Sequence, residues 1–340
     1  MIYRSKAPLR IGLAGGGTDV SPYSDEYGGA ILNATVSLSA YASIEPLQEN
    51  TIIVEALDRK EEERYEWAPS LPINGKLDLL KGVYNRIHSM YGVPLTGFRL
   101  STFVDAAAGS GLGTSSTLVV AILGAFAEML KLPLGDYDIA HLAFQIEREE
   151  LNLAGGKQDQ YAATFGGVNF MEFYGDDKVI VNPLRIRPEY LHELGNNLVL
   201  YFTATSRESA LIIKEQVKNV NNKDEKSIEA MHQLKEQAKM MKEALLKGRL
   251  HEIGEILDFG FEQKRKMAHN ISNSTIESIY NAAKKAGATG GKISGAGGGG
   301  FMIFYCPDNT RYKVIDTLNT FGGEIKNYSF TKYGLTSWTI

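Results

Sequence analysis

A glycine-rich segment at residues 109–117, GSGLGTSST, carries the residue types that most directly suggest chemistry. Glycine lets the main chain approach a ligand closely, and the first N–H groups of a helix are unpaired and carry partial positive charge. The apolar run that follows predicts a helix over 115–131. A glycine-rich loop ahead of such a helix is typical of phosphate binding. Thr114, Ser115 and Ser116 could cap the helix or offer a hydroxyl to a phosphate or a metal ion.

Two familiar phosphate-binding motifs do not fit this segment. The Walker A motif has a lysine before its hydroxyl residue, whereas Thr114 directly follows Gly113 here. In the dinucleotide-binding motif GxGxxG the third glycine lies three residues after the second, whereas Gly113 lies only two residues after Gly111. A glycine-rich turn with a capped helix and no ligand therefore stays open as an alternative for this segment alone.

Three further segments contain candidate functional groups. In KAPLRIGLAGGGTD, near the start of the chain, Arg10 could face a phosphate or a carboxylate, and Asp19 could accept hydrogen bonds from substrate hydroxyls. In GGKQDQYAATFGG, Asp159 could orient or deprotonate a hydroxyl nucleophile, or cap a helix. The third segment, KISGAGGGGFMIF at 292–304, runs from glycines into an apolar strand, which indicates close main-chain contact with a ligand or another loop.

Periodicity predicts the elements that must position these groups. Strands and turns are expected over 1–60 and a strand over 97–105, whereas the charged segment 58–64 is expected to be a solvated loop or strand end. Helices are expected over 77–92, 115–131, 136–151, 206–219, 225–247, 250–267 and 275–286. Because strands and helices do not alternate regularly, an α+β fold is favoured over a doubly wound parallel sheet.

The sequence changes from strand-rich to helix-rich near residue 180. This change predicts an N-terminal domain over 1–180 and a C-terminal domain over 181–340. A chain of 340 residues is long enough for two cores of this size. The closing segment, SFTKYGLTSWTI, could pair with either half.

Composition excludes several classes of function. The net charge is −4, so no basic excess is present to bind nucleic acid or an anionic membrane. The single cysteine, Cys306, cannot form a disulfide within the chain and is predicted to be buried in its apolar run. No apolar run reaches the roughly 20 residues of a membrane span, and the polar start is unlike a signal peptide. We therefore expect a cytoplasmic protein.

Taken together and in order, APLRIGLAGGGTD, GSGLGTSS and KISGAGGGGF resemble the three motifs of the GHMP kinases. The combination of GGGTD and IER with GGKQDQYAATFGG is similar to the heptose-phosphate kinase branch. Members of that branch phosphorylate O1 of D-glycero-D-manno-heptose 7-phosphate, on the way to nucleotide-activated heptose. The alternatives are L-fucokinase or another small-molecule kinase of the family, a catalytically silent sugar or nucleotide sensor, and a dinucleotide-dependent oxidoreductase.

The resemblance implies a fold, three ligands and a set of site residues. The N-terminal domain would resemble domain 2 of ribosomal protein S5, the C-terminal domain would be ferredoxin-like, and the active site would lie between them. The ligands would be ATP, Mg²⁺ and a small sugar phosphate, bound by a monomer or homodimer that has no nucleic-acid or membrane partner. The chain departs from the family pattern at Leu9, where many members have glycine.

The same resemblance assigns roles residue by residue. Asp159 would be catalytic, with Arg10 as its basic partner. The residues that bind ATP would be Gly109, Ser110, Gly111, Leu112, Gly113, Thr114 and Ser115. The residues that bind substrate would be Gly17, Thr18, Asp19, Gly295 and Gly297. Ser115 and Glu147 would bind magnesium, with Glu149 as a rival to Glu147. Candidates for a distal phosphate are Arg185, Arg187, Lys292 and Lys157.

Overall fold

The computed structural model describes residues 1–94, 96–204 and 209–340, with no side chain described for Ser209. Its strands are β1 (Tyr3–Ala14), β2 (Gly29–Pro46), β3 (Thr51–Ala56), β4 (Glu61–Glu66), β5 (Phe98–Val104), β6 (Val168–Phe173), β7 (Val179–Pro183), β8 (Leu198–Phe202), β9 (Gly290–Ile293), β10 (Phe301–Tyr305), β11 (Glu324–Ile325) and β12 (Thr336–Thr339). Its helices are α1 (Tyr23–Tyr27), α2 (Asp78–Tyr91), α3 (Thr114–Leu130), α4 (Asp136–Phe144), α5 (Gln158–Phe165), α6 (Pro188–Asn197), α7 (Ser209–Asn221), α8 (Glu225–Lys247), α9 (Ile253–Met267), α10 (Ser274–Ala286) and α11 (Arg311–Asn319).

The first sheet has eight strands and carries α3 against it. The path β12-β1-β2-β5-β3-β4 is joined by β6 and β7, which extend from β2. All pairs are antiparallel except β3 with β5. Helix α3 is apolar on nearly every side because it lies between β1 and β2 on one flank and α2, α4 and α5 on the others. The predicted helix over 115–131 is confirmed, and its N-terminus points towards the site described below.

The second sheet has the ferredoxin-like order. Its strands lie in the order β11-β8-β10-β9, and every pair is antiparallel. Along the chain, β8 is followed by helices, then by β9 and β10, and then by α11 and β11. This is a βαββαβ unit in which α7 to α10 replace the first helix. The expected α+β fold is confirmed.

The structure corrects several local predictions. The segment 58–64, expected to be a solvated loop or strand end, runs from a turn into the first residues of β4, which pairs along its whole length with β3 at an edge of the first sheet. The short helices α6 and α11 were not predicted. The helix expected over 136–151 changes at Gln145 into a π-helical segment, Gln145–Glu150. The helix expected over 206–219 falls partly outside the described residues, and its described part is α7.

The closing segment pairs with the first half of the chain. Strand β12 is antiparallel to β1, with Tyr3 opposite Thr339. Strand β7, at 179–183, also belongs to the first sheet. The division into domains over 1–180 and 181–340 stays a prediction. Among the described residues, none of the helices is long and apolar enough to cross a membrane.

Burial should make Cys306 slow to react with thiol reagents. The side chain has no exposed surface, and burial raises the pKa of its thiol to about 12, so little thiolate exists at pH 8. We expect Ellman's reagent to modify the native protein slowly and to titrate one thiol at once after unfolding in guanidinium. Rapid labelling of the native protein would contradict this burial.

Candidate active site

A cavity of about 300 Å³ lies between the two sheets. It is lined by β1, by the segments at 15–20, 109–116, 147–159 and 295–296, and by α7, α9 and β9. The segment 109–116 ends in the first turn of α3, and the segment 147–159 runs from the π-helical segment into α5. Both halves of the chain therefore contribute to one site. The volume suits a small polar ligand rather than a macromolecule.

Arg10 and Asp159 form the centre of this cavity. Arg10 is buried in β1, and its Nη2 and Nε lie 2.6 and 2.7 Å from Oδ1 of Asp159. Its Nη1 donates to the carbonyl oxygen of Gly111 at 2.7 Å. Asp159 is the second residue of α5, so its carboxylate does not cap that helix, and its side chain keeps 19% of its surface exposed. The resemblance noted above implied that these two residues pair, and the structure brings their side chains together.

The loop at 109–113 presents its main chain to the cavity. Gly109, Gly111, Gly113, Thr114 and Ser115 all line it. Gly111 and Gly113 have φ of +88° and +78°, which only glycine adopts without strain. Gly113 immediately precedes α3, so the unpaired N–H groups of that helix lie at the cavity wall.

Two residues of this loop, Leu112 and Ser110, use their carbonyl groups to bind strands on the side of the loop that faces away from the cavity. Leu112 is buried in the apolar core, and its carbonyl accepts from the N–H of Arg10 at 3.1 Å. Ser110 is also buried, and its carbonyl accepts from the N–H of Phe301 at 2.8 Å. Their side chains do not line the cavity.

The third motif packs directly on this loop, main chain against main chain. A Cβ on Gly295 would lie 2.7 Å from Cα of Gly111, and one on Gly300 would lie 2.4 Å from the carbonyl oxygen of Ser110. The Ser294 hydroxyl donates to the Gly111 carbonyl at 2.8 Å. The close packing of these two segments therefore requires glycine on both sides of the contact. Gly297 lies apart from the cavity, where a Cβ would meet the carbonyl of Ile271 at 2.9 Å.

The segment at 15–19 forms another wall. Gly17 and Asp19 line the cavity, whereas Thr18 is buried and donates its hydroxyl to the carbonyl of Gly15 at 2.9 Å, which holds the turn. The Asp19 carboxylate accepts from the main-chain N–H of Gln158 at 3.1 Å and from its side-chain amide at 3.3 Å. Burial raises the pKa of Asp19.

Glu147 enters the cavity from the π-helical segment. Its side chain is only 1% exposed, and its Oε2 accepts from the Gln160 amide at 2.6 Å. Such π-helical segments are rare and often occur at functional sites. Ser115, exposed in the first turn of α3, lines the same cavity. Glu149 is exposed and is not part of the lining.

Two family profiles match this chain. Residues 78–167 match the one described as "GHMP kinases N terminal domain", and residues 241–324 match "GHMP kinases C terminal". The chain belongs to the GHMP kinases. The expectation of an enzyme that transfers a phosphoryl group is confirmed.

Two named kinases and one crystal structure illustrate which GHMP kinases this chain is similar to. The D-glycero-alpha-D-manno-heptose 7-phosphate kinase of Campylobacter jejuni is 47% identical over 99% of both chains. A crystal structure described as a D-glycero-D-manno-heptose 1-phosphate kinase from Bacteroides thetaiotaomicron has a TM-score of 0.85 and 45% identity, over 99% of both chains. A bifunctional fucokinase/GDP-fucose pyrophosphorylase of Arabidopsis thaliana is 26% identical, over 91% of this chain and 30% of that protein.

The residues of the cavity fit a divalent ion that is bound together with nucleotide phosphates. The described residues contain no group of three or more His, Cys, Asp or Glu side chains that could hold a metal alone. Magnesium commonly uses one or two carboxylates together with substrate phosphates. The Glu147 carboxylate, whose Oε1 lies 3.3 Å from Nη1 of Arg148, and the hydroxyl of the exposed Ser115 are oxygen ligands of this kind in the cavity lining.

Sequence reasoning missed part of the site of this GHMP kinase. Lys264 in α9 lines the cavity, and so does Arg148, whose Nη2 donates to the Ser116 hydroxyl at 3.2 Å. Burial, followed by the nearby Arg10, lowers the pKa of Lys264 to about 8. Burial also lowers the pKa of Lys292 well below its usual range, with further contributions from Lys264 and Arg10.

Only one of the four candidates for binding a distal phosphate lies in the cavity wall. Lys292 lines the cavity, whereas Lys157, Arg185 and Arg187 do not. Lys157 is already paired, with its Nζ 2.7 Å from Oδ1 of Asp177.

A methyl group at Gly295 should disturb the glycine-rich loop at 109–113 and lower kinase activity. Gly295→Ala places a side chain 2.7 Å from Gly111 in a residue with φ of +66°. Gly322→Ala is the matched control, because its φ is +76° but nothing lies within 4 Å of the added carbon. Each costs about 1–2 kcal/mol of backbone strain, and Gly295→Ala adds the clash. We expect kcat/KM for ATP to fall at least tenfold only in Gly295→Ala; equal values in both variants would contradict the contact.

Proposed function

We propose that this chain transfers the γ-phosphoryl group of ATP to the anomeric O1 of D-glycero-D-manno-heptose 7-phosphate. The observation that carries the chemistry is the ion pair of Arg10 and Asp159 beside the glycine-rich loop at 109–113, in the cavity between the two sheets. The product, a heptose 1,7-bisphosphate, would lie on the way to nucleotide-activated heptose.

The sugar is inferred from the relatives. Two proteins at 45–47% identity over nearly the whole chain are named as kinases of a heptose phosphate. One name places the phosphate of the substrate at position 7 and the other at position 1. The proposal takes the 7-phosphate as the substrate, so that O1 is the free hydroxyl that is phosphorylated.

The side chains support an in-line transfer that depends on positioning and charge. The N–H groups of the loop at 109–115 and the N-terminus of α3 would bind the β- and γ-phosphates. Asp159 would accept or orient the proton of the anomeric hydroxyl, which is more acidic than an ordinary alcohol. Arg10, fixed between Asp159 and the Gly111 carbonyl, would neutralise charge on the transferring group.

Magnesium, when bound, supplies charge neutralisation on the phosphate oxygens. Glu147 and Ser115 are the residues that would hold it. The Gln160 amide keeps the Glu147 carboxylate in place through its hydrogen bond of 2.6 Å.

A coupled ADP-release assay tests the proposal. We expect Mg·ATP turnover chiefly with D-glycero-D-manno-heptose 7-phosphate in a panel that also contains D-mannose, L-fucose, galactose and mevalonate. Phosphorus NMR of the product should show coupling to the anomeric proton. Turnover chiefly with L-fucose or another unphosphorylated compound would overturn the substrate, and ATP binding without turnover of any compound would favour a sensor.

A further inference from the structure

Two buried lysines from separate elements end in the same wall of the cavity. Lys264 lies in α9 and is 4% exposed, and Lys292 lies in β9 and is 5% exposed. The Lys264 Nζ donates to the carbonyl of Gly295, and the Lys292 Nζ donates to the carbonyl of Gly12 at 3.0 Å. Each ammonium has three donors, so these contacts leave others for a ligand.

Neither ammonium forms an ion pair with a carboxylate of the described residues. The other two buried lysines do so: Lys81 Nζ lies 3.0 Å from Oε2 of Glu63, and Lys157 Nζ lies 2.7 Å from Oδ1 of Asp177. Arg10 lies nearby but is paired with Asp159, and the buried Asp19 also acts on Lys264. Burial makes the charged form of both lysines costly, so a bound anion would stabilise their ammonium groups.

The two ammonium groups flank one point of the segment at 15–19. A Cβ on Gly16 would lie 3.9 Å from the Lys264 Nζ and 4.0 Å from the Lys292 Nζ. This segment also carries Asp19, the predicted sugar ligand. Ser115 and Glu147, the residues suited to the metal, lie at the N-terminus of α3 and on the π-helical segment. Lys264 also contacts Gly295, which packs on Gly111 of the glycine-rich loop, so the nucleotide phosphates are the competing ligand.

We propose that Lys264 and Lys292 bind the phosphate group that the sugar substrate already carries. The inference rests on the proposed function, because it assigns a subsite for a phosphate monoester dianion within the same cavity. Two adjacent ammonium groups on buried elements form a preorganised site for such a dianion. The site would make the enzyme prefer a sugar phosphate to the free sugar.

The other source of the same chemistry is the γ-phosphate of ATP. If the lysines bound that group, both sugars would lose turnover equally when a lysine is replaced. If they bind the phosphate of the sugar, only the phosphorylated sugar loses the contact. The ratio of kcat/KM for heptose 7-phosphate to kcat/KM for unphosphorylated heptose therefore separates the two sources.

Lys264→Met and Lys292→Met remove the charge and keep most of the volume. Lys284→Met is the matched control, because this lysine lies in α10 outside the cavity and pairs with Asp258 at 3.0 Å. We expect the ratio to fall roughly 10- to 100-fold in each cavity variant, mainly through KM for the sugar phosphate, and to stay unchanged in the control. Lys264→Arg, which keeps the charge, should retain more of the preference than Lys264→Met.

Calorimetry of binding provides a second readout that does not depend on turnover. Heptose 7-phosphate should bind both methionine variants more weakly than the parent protein, whereas a non-hydrolysable ATP analogue should bind all of them alike. An unchanged ratio, or weaker binding of the ATP analogue with equal losses on both sugars, would overturn the inference while leaving the kinase function intact. A parent enzyme that phosphorylates only unphosphorylated sugars would instead overturn the proposed function and, with it, this subsite.

Discussion

Asp159→Asn is expected to lower kcat by roughly 10²–10⁴-fold, the usual contribution of a general base. The amide keeps the size of the side chain and one oxygen for Arg10, whose Nη2 lies 2.6 Å from Oδ1. It cannot accept the proton of the attacking hydroxyl. Because the nucleotide phosphates would contact the main chain of the loop at 109–113 and not this carboxylate, ATP affinity should change little.

The measurement combines steady-state kinetics with calorimetric titration of an ATP analogue. Asp136→Asn is the matched control, because Asp136 is also an aspartate in the first turn of a helix but is exposed and outside the cavity. Its loss tests the effect of removing a carboxylate from a helix N-terminus. Near-normal turnover of Asp159→Asn would exclude this residue as the base, and a large loss of ATP affinity would give it a different role.

Glu147→Gln is expected to raise the magnesium concentration needed for half-maximal activity. The expected rise is about 10- to 100-fold, which is the loss of metal affinity that typically follows when a residue supporting a metal ligand is replaced. The substituted amide can still accept the hydrogen bond from Gln160 through its oxygen, so the π-helical segment should be preserved. Binding of Mn²⁺ in the presence of nucleotide, followed by electron paramagnetic resonance, gives a readout that is independent of activity.

Glu149→Gln distinguishes the two candidate ligands. Glu149 lies two residues further along the same segment and is exposed. We expect its magnesium dependence to match that of the parent protein. A larger shift in Glu149→Gln than in Glu147→Gln would reverse the assignment.

The sequence was sufficient where a motif is local. The glycine-rich loop at 109–113 and the helix after it could be inferred because each depends on residue types within a short segment. The pairing of Arg10 with Asp159 was implied only by the resemblance to the GHMP kinases, and the catalytic roles of both residues stay a prediction. The α+β architecture followed from the irregular order of strands and helices. Contacts between distant segments, such as Gly111 against Gly295, could only be suggested by the presence of glycine.

Lys264 was missed although a signal was present. Helical spacing places it on the same face of α9 as Leu257 and Phe261, which are buried. A lysine on an apolar face is unusual and points to a special environment. The π-helical turn at Gln145–Glu150 gave no such signal, because its sequence continues the pattern of an ordinary helix.

The glycine-rich loop at 109–113 is hydrogen-bonded to both sheets through two residues that lie two positions apart. The Leu112 carbonyl accepts from Arg10 in β1, and the Ser110 carbonyl accepts from Phe301 in β10. A hinge motion that separated the two halves would have to break one of these hydrogen bonds and disrupt the loop itself. Ligands should therefore enter and leave through the mouth of the cavity while the halves stay together, so that product escape is governed by local motions of the surrounding loops.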